Sequence, residues 1–116
     1  MKKNYKLNEF LEKLPDLIKR KEFSQVIEIC KGFKTKNTVV LNIQGMAYKN
    51  LKEKTLALEC FHKAIMMDKK NFLPYFNAAK LQFIYSDYLS SKKLLMSAVN
   101  NGVDNPKVFN LLGDTY

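Results

Sequence analysis

The chain has 116 residues, of which 47% are hydrophobic, a size and apolar content typical of one domain or one run of small stacked units. No apolar run reaches the roughly 18 residues that a membrane-spanning helix needs, and the N-terminus lacks an apolar stretch of signal-peptide length, so we expect a cytoplasmic protein. The net charge is +9, concentrated in residues 1–37, which carry ten basic and five acidic groups.

Residues 7–37 are predicted to form a first pair of helices. Apolar residues recur at three- and four-residue intervals in both halves of this segment. The first half places Phe10, Leu11, Leu14, Leu17 and Ile18 on one face, and the second half does the same with Val26, Ile27, Ile29, Cys30 and Phe33. Pro15 lies inside the first pattern and should kink that helix or mark its start.

Residues 38–71 contain a more regular pair. The segments 38–51 and 55–67 each have helical apolar spacing, and the polar residues 52–54 separate them. Two antiparallel helices joined by a short turn are therefore expected.

Residues 72–105 repeat this pattern, and 106–116 begin it again. The recurrence has a period of 34 residues, visible in Gly45, Ala79 and Gly113, in Leu41, Tyr75 and Phe109, and in Asn71 and Asn105. Gly102 is free to take the left-handed turn that ends a helix. Asn105 followed by Pro106 is a typical helix start. The final segment is therefore predicted to be the first helix of an incomplete unit, cut from a longer array.

Residues 38–71 resemble the tetratricopeptide repeat. The family keeps, in order, a large, a small, an aromatic, a small, an aromatic and a small residue at six positions. The residues at these positions here are Leu41, Gly45, Tyr48, Ala57, Phe61 and Ala64. Gln44 replaces the usual leucine, and Lys69 replaces the usual proline. Residues 72–105 and 106–116 match at fewer positions, and 7–37 resemble a degenerate repeat.

The resemblance implies a single all-α domain over residues 1–116. Its architecture would be a right-handed superhelical stack of antiparallel helix pairs, an α-solenoid of about seven helices. The units would be a degenerate repeat at 7–37, repeats at 38–71 and 72–105, and the first helix of an incomplete repeat at 106–116.

The resemblance also implies a protein-binding or scaffold role, with a peptide or partner protein held in a concave groove lined by the first helix of each unit. Asparagine side chains both donate to and accept from a peptide backbone, which suits this role. The predicted groove residues are Asn42, Met46, Lys49, Asn50, Leu73, Phe76, Asn77, Lys80, Lys107 and Asn110. Phe83 and Ile84 belong either to this groove or to the core.

A carboxylate clamp for chaperone C-termini is not expected. In family members with that clamp, lysine, asparagine and arginine occupy five groove positions. Asn77 and Lys107 match two of them, whereas Asn42, Met46 and Leu111 stand where lysine, asparagine and arginine are needed.

No catalytic or cofactor site is predicted, and the chain by itself is not expected to be an enzyme. The single histidine, His62, has no neighbours at nucleophile or metal-ligand spacing. The four glycines, at positions 32, 45, 102 and 113, do not form a phosphate-binding loop.

Two alternative functions remain open. The chain could be the N-terminal module of a longer enzyme, such as a glycosyltransferase or sulfotransferase fusion. It could instead bind nucleic acid or a membrane surface through basic residues, which are Lys2, Lys3, Lys6, Lys13, Lys19, Arg20, Lys21, Lys31, Lys34 and Lys36. A single arginine among twenty basic residues makes nucleic-acid binding the weaker alternative.

A homodimer through the C-terminal helix is a further expectation. The pattern places Phe109, Leu112 and Tyr116 on the face that packs against the preceding unit, and it leaves Val108 and Leu111 on other faces. Exposed apolar residues on a terminal repeat favour self-association.

Overall fold

The computed structural model describes residues 6–33 and 37–115, which fold into seven α-helices. They are α1 (Leu7–Lys19), α2 (Phe23–Gly32), α3 (Thr38–Asn50), α4 (Lys54–Met67), α5 (Phe72–Ile84), α6 (Tyr88–Asn100) and α7 (Pro106–Asp114). The predicted all-α architecture of about seven helices is confirmed. Tyr116 and four lysines of the basic patch, Lys2, Lys3, Lys34 and Lys36, lie outside the described residues.

Asparagine precedes the start of three helices, α3, α5 and α7. Asn37, Asn71 and Asn105 stand 34 residues apart, and each accepts a hydrogen bond on Oδ1 from a backbone N–H in the first turn of the helix that follows. The distances are 2.8, 3.1 and 2.9 Å. These bonds satisfy donors that a helix N-terminus leaves unpaired. The predicted helix start at Asn105 and Pro106 is confirmed.

A left-handed turn ends the first helix of each pair. Lys21, Lys52 and Ser86 have φ of 59°, 64° and 62°. The backbone N–H of the residue that follows each of them donates to the carbonyl oxygen of the residue five positions before that donor, at N···O distances of 2.8–2.9 Å. None of the three residues is glycine, so the sequence offered no signal for these turns. Gly102 takes the same conformation after α6, with φ of 86°, as predicted.

The core is continuous along the stack. One buried cluster joins α1, α2 and α3 through Phe10, Val26 and Val40. A second joins α3, α4 and α5, and a third joins α4 to α7. Pro15 lies inside α1 and does not mark its start.

α3 and α4 approach closely at Gly45. A Cβ atom at this position would lie 2.6 Å from Cε1 of Phe61, whose side chain is fully buried. A connection of only three residues, 51–53, joins α3 to α4, and the two helices pack closely against each other, so they are antiparallel. The missing side chain at Gly45 is what lets the Phe61 ring lie against α3.

The stack curves toward its first helices. α3 packs against α5, and α5 packs against α7, whereas over the described part of the chain α2, α4 and α6 contact first helices but not one another. The side formed by α3, α5 and α7 is therefore the more closely spaced, and it is the concave side. The molecule measures 48 × 26 × 21 Å.

The packing of α7 corrects one prediction. Val108, expected to be exposed, is fully buried, and Phe109, expected to pack against the preceding unit, is 45% exposed. In α3 and α5 the residues in register with Phe109, Leu41 and Tyr75, are almost fully buried. Among the described residues no second helix follows α7, so its Phe109 side stays open.

The two glycines in the same register give a matched test. We expect Gly45→Ala to lower the free energy of unfolding by about 1–3 kcal/mol, because the new methyl overlaps Phe61. Gly113→Ala meets nothing within 4 Å. Because alanine has a higher helix propensity than glycine, this substitution should raise the free energy of unfolding by up to about 1 kcal/mol. Urea unfolding followed by circular dichroism measures both, and equal effects of the two substitutions would contradict the role assigned to the Gly45–Phe61 contact.

Candidate functional site

Two predicted groove residues bond to each other across the concave face. Nδ2 of Asn77, in α5, donates to Oδ1 of Asn42, in α3, at 2.9 Å. Asn42 is only 8% exposed, so it contributes less open surface than its place in the sequence suggested. The bond fixes the orientation of both amides and presents Asn77 at the centre of the face.

Two lysine ammonium groups lie near the same aromatic ring, which is beside this asparagine. Nζ of Lys80 lies 5.9 Å from the centroid of the Phe76 ring, and Nζ of Lys107 lies 6.0 Å from the same centroid. Lys80 and Phe76 are one helical turn apart on α5, and Lys107 reaches the ring from the first turn of α7. Attraction between an ammonium group and an aromatic face holds such an arrangement together.

Lys49 extends this positive charge onto α3. Partial burial of its ammonium group, and then the nearby charge of Lys80, lower the pKa of Lys49 below that of an ordinary lysine. None of Lys49, Lys80 and Lys107 forms a salt bridge with a described carboxylate. The concave face therefore carries three ammonium groups, none of which is in a salt bridge with a described carboxylate.

Two cavities flank the lysines. One, of about 230 Å³, lies between α1 and α3 and has Leu14, Ile18 and Met46 in its wall, with Asn50 at its edge. The other, of about 350 Å³, lies at the far end of α3 and α5 and includes Lys49 and Ile84. The first cavity is mainly apolar and the second is partly polar. An apolar cavity beside charged groups suits a peptide that combines apolar and charged side chains.

The remaining predicted groove residues are less closely connected. Leu73 is 37% exposed and Asn110 is exposed. Nδ2 of Asn50 donates to the carbonyl oxygen of Met46 in its own helix, at 2.8 Å. Phe83 is half-buried and packs edge-on against Tyr88, with ring centroids 4.9 Å apart. Because Tyr88 is itself 48% exposed, this contact lies at the surface between α5 and α6, and Ile84 is 57% exposed.

The sequence interpretation missed the contribution of α1 to the concave face. The sequence pattern places Leu14 and Ile18 on the apolar face of the first helix, yet Ile18 is 48% exposed and both residues line the cavity beside Met46. Five apolar residues on one face of α1 are more than one packing contact can cover. This excess is the feature of the sequence that could have indicated a contribution of α1 to the concave face.

Within residues 6–33 and 37–115, no three His, Cys, Asp or Glu side chains are grouped so that they could hold a metal ion. None of the helices in the same ranges has both the length and the apolar character needed to cross a membrane. His62 is exposed on α4, in the opposite layer from the lysines.

Comparison with known proteins identifies one similar sequence. The BBSome complex member bbs-4 of Caenorhabditis elegans is 28% identical over 82 residues, which is 71% of this chain and 18% of that protein. The chain thus spans less than a fifth of this relative's length. No protein-family model matches the sequence.

Solved structures match far more of the chain. The Sgt2 tetratricopeptide repeat domain of Aspergillus fumigatus superimposes with a TM-score of 0.77, at 18% identity, over 93% of this chain and 75% of that domain. The second such domain of human RPAP3, in complex with the HSP70 peptide SGPTIEEVD, gives 0.72 at 14% identity over 91% of both chains. The first such domain of Spaghetti (RPAP3), bound to the HSP90 peptide SRMEEVD, gives 0.72 at 19% identity over 91% of this chain and 86% of that one. The fold is therefore that of tetratricopeptide repeat domains, as the resemblance predicted.

The pKa of Lys49 tests the electrostatics of the concave face. The pKa of Lys49 is lower in the folded chain than in the unfolded chain, so between these two pKa values the unfolded chain binds more protons. The free energy of unfolding should therefore rise with pH just below the ordinary lysine range. We expect Lys80→Gln to raise the pKa of Lys49 while leaving it below normal, because burial is the larger cause. An NMR titration of the lysine side-chain methylene groups measures this, with Lys63→Gln on α4 as the control. An unchanged pKa in Lys80→Gln would show that the two ammonium groups do not interact.

Proposed function

We propose that this chain, with its tetratricopeptide repeat fold, is a non-enzymatic protein-interaction module that holds an extended, acidic peptide segment of a partner on its concave face. The observation that carries the proposal is the row of Lys49, Lys80 and Lys107, one on each of α3, α5 and α7, with no salt bridge to a described carboxylate. Acidic side chains spaced along an extended peptide would neutralise this row.

The surroundings of the lysines support an extended peptide in particular. Asn77 lies beside the row with its orientation fixed by Asn42, so it is ready to bond a peptide backbone. The cavity of about 230 Å³ between α1 and α3 has the size and apolar wall to take one apolar side chain of the same peptide. Groups preorganised in this way lose little conformational entropy on binding.

The comparisons support the proposal without naming the partner. Two of the similar structures hold peptides, both of which are acidic near the C-terminus. Because Asn42, Met46 and Leu111 occupy clamp positions here, we propose that this face recognises acidic side chains within a segment and not a terminal carboxylate. The similar C. elegans protein is a member of a complex, which fits an interaction or scaffold role. We infer the cytoplasm as the location, as the sequence predicts.

Peptide selection tests this function. We expect a displayed library of random dodecapeptides to yield Asp- and Glu-rich sequences that each contain an apolar residue. The double change Lys80→Glu and Lys107→Glu should weaken their binding at least about tenfold, since it reverses two charges in the row. Fluorescence anisotropy with a selected peptide measures the affinity.

A matched control and a terminal-carboxylate control complete the experiment. Lys63→Glu with Lys70→Glu makes the same charge change on exposed residues outside the concave face and should have little effect. The peptide SRMEEVD and its C-terminal amide should bind equally. Selected peptides that bind the concave-face double variant as well as wild type would refute the assignment to this face, and peptides that bind only as free acids would indicate a terminal-carboxylate site.

We also propose that α7 mediates self-association through its open side. Phe109 and Gly113 are four residues apart and share one face of the helix. If two copies pair antiparallel about a two-fold axis, each Phe109 ring lies against the partner's Gly113, which repeats the packing of Phe61 on Gly45. The 45% exposure of Phe109 is the observation that favours this contact.

Light scattering over a range of concentrations up to roughly 1 mM tests the dimer. We expect a concentration-dependent dimer for wild type and a monomer for both Phe109→Asp and Gly113→Leu. Leu56→Asp changes a residue on α4 that is 40% exposed and should leave the dimer intact. A wild-type chain that stays monomeric throughout would exclude this contact.

A further inference from the structure

The turns within the helix pairs lie along one edge of the stack. Short connections make consecutive helices run in opposite directions, so α1, α3 and α5 end on the same side of the molecule. The α3–α4 and α5–α6 turns are in contact, because Nζ of Lys54 lies 4.7 Å from the centroid of the Tyr85 ring. Ile18 and Asn50, at the ends of α1 and α3, line one cavity, so the α1–α2 turn continues the same edge.

This turn edge, made of residues 18–22, 51–54 and 84–89, exposes large apolar side chains. Leu89 and Ile84 are 65% and 57% exposed, and Leu51, Tyr85 and Tyr88 are also exposed. These five residues belong to two neighbouring turns or to the helix ends beside them. Exposed apolar residues gathered in one region indicate an interaction surface.

The turn edge also carries net positive charge. Its basic residues are Lys19, Arg20, Lys21, Lys52 and Lys54, and its acidic residues are Glu22, Glu53 and Asp87. Just outside the edge, Asp16 forms a salt bridge with Arg20 at 3.2 Å, so the lysines carry the remaining positive charge.

A further lysine lies beside the α5–α6 turn. Oδ1 of Asp87 accepts a hydrogen bond from the backbone N–H of Ser90 at 3.2 Å. Hydrogen bonding with Ser90, and then the nearby charges of Lys54 and Lys93, lower the pKa of Asp87. Lys93 is exposed on α6, one turn after Leu89, and it adds to the positive charge around the exposed apolar side chains.

An anionic membrane surface fits this combination of side chains. Negatively charged lipid headgroups attract lysines, and a long lysine side chain can keep its ammonium group among the headgroups while apolar neighbours reach deeper. Tyrosine favours the same interface, since its ring is apolar and its hydroxyl group stays in contact with water. We propose that the turn edge is a peripheral membrane-binding site for bilayers that contain anionic lipids.

The shape of the turn edge favours lipid over a folded protein partner. Its apolar side chains stand on separate turns with lysines between them, so a rigid protein surface would need a matching pocket for each one. A fluid headgroup layer closes around protruding side chains without such matching. Nucleic acid would supply the negative charge, but its phosphates make no favourable contact with exposed isoleucine and leucine.

The proposal is independent of peptide binding on the concave face. The lysine row of that face consists of Lys49, Lys80 and Lys107, none of which belongs to the turn edge. Failure of peptide binding would therefore leave the membrane site unaffected.

Co-sedimentation with lipid vesicles tests the membrane site. The vesicles are phosphatidylcholine alone and phosphatidylcholine with about 30% phosphatidylserine, in about 0.1 M salt. We expect the wild-type chain to bind the anionic vesicles at least about tenfold more tightly than the neutral ones, because several lysines lie close to the charged surface.

Two double variants separate the apolar from the charged contribution. Ile84→Ser with Leu89→Ser removes two exposed apolar side chains without changing the net charge, and it should weaken binding to anionic vesicles at least about tenfold. Lys52→Gln with Lys93→Gln should weaken the same binding about fivefold or more. Because all four residues are exposed, the fold should be unaffected, which circular dichroism checks.

The opposite edge of the stack supplies matched controls. Met66 and Met67 are exposed there, at the rim of a cavity between α3 and α4 that also includes Gln44, and Lys69 and Lys70 follow them. Met66→Ser with Met67→Ser, and Lys69→Gln with Lys70→Gln, repeat the two changes a helix length away. Each control should lower the affinity less than about twofold, since that edge lies beyond one Debye length.

A single tryptophan reports insertion directly, because the chain contains none. We expect the fluorescence of Leu89→Trp to shift to the blue on anionic vesicles and to be quenched by brominated lipids. Met66→Trp, on the opposite edge, should keep the emission of a ring in water.

Three results would overturn the proposal. The first is a wild-type chain that binds anionic vesicles no better than neutral ones, which would favour an acidic protein as the partner of this edge. The second is an equal loss of binding in the turn-edge variants and their controls, which would indicate attraction by the net charge of the whole chain. The third is an unshifted Leu89→Trp spectrum on bound vesicles, which would show that no apolar side chain of the edge enters the lipid.

Discussion

The contact between Gly45 and Phe61 sets the spacing of α3 and α4, and much of the stack depends on that spacing. A side chain at Gly45 would lie 2.6 Å from the ring, so the two helices can keep their present distance only with glycine there. Phe61 also belongs to the buried cluster that contains Ala78 and Leu81 of α5. The position of α5 relative to α3 therefore depends on how closely the Phe61 ring packs against α3.

The arrangement of side chains on the concave face depends on the same spacing. Lys49 and Lys80 lie on α3 and α5, close enough for the charge of one to lower the pKa of the other. The Asn42–Asn77 hydrogen bond spans the same two helices at 2.9 Å. A larger separation would break this bond and would spread the positive charge over a wider area. The close approach at Gly45 is thus a structural requirement of the concave face as well as of the core.

The two layers of the stack have different chemistry. The layer formed by α3, α5 and α7 presents ammonium groups and amides, whereas the cavity beside α4 is apolar apart from Gln44 and the basic residues His62 and Lys63. A polar, positively charged surface attracts a segment by its charge and backbone, and an apolar cavity selects one side chain by shape.

The sequence by itself determined the helices, their order and the start of α7 at Asn105 and Pro106. These features are local: apolar spacing defines a helical face, and Asn71 and Asn105 bond to backbone groups within the next few residues. The 34-residue register also identified the position at which a small residue is needed, at Gly45.

Tertiary structure decided which side chains stay exposed and which groups meet across helices. Phe109 is in register with buried Leu41 and Tyr75, yet it is exposed, because no helix of the described residues covers it. Lys107 meets Phe76, and Asn42 meets Asn77, from residues more than thirty positions apart in the chain. The cavity over Gln44 likewise depends on the packing of α4 against α3. Such contacts are set by the distance and angle between neighbouring helices, which a periodic pattern of residue types does not encode.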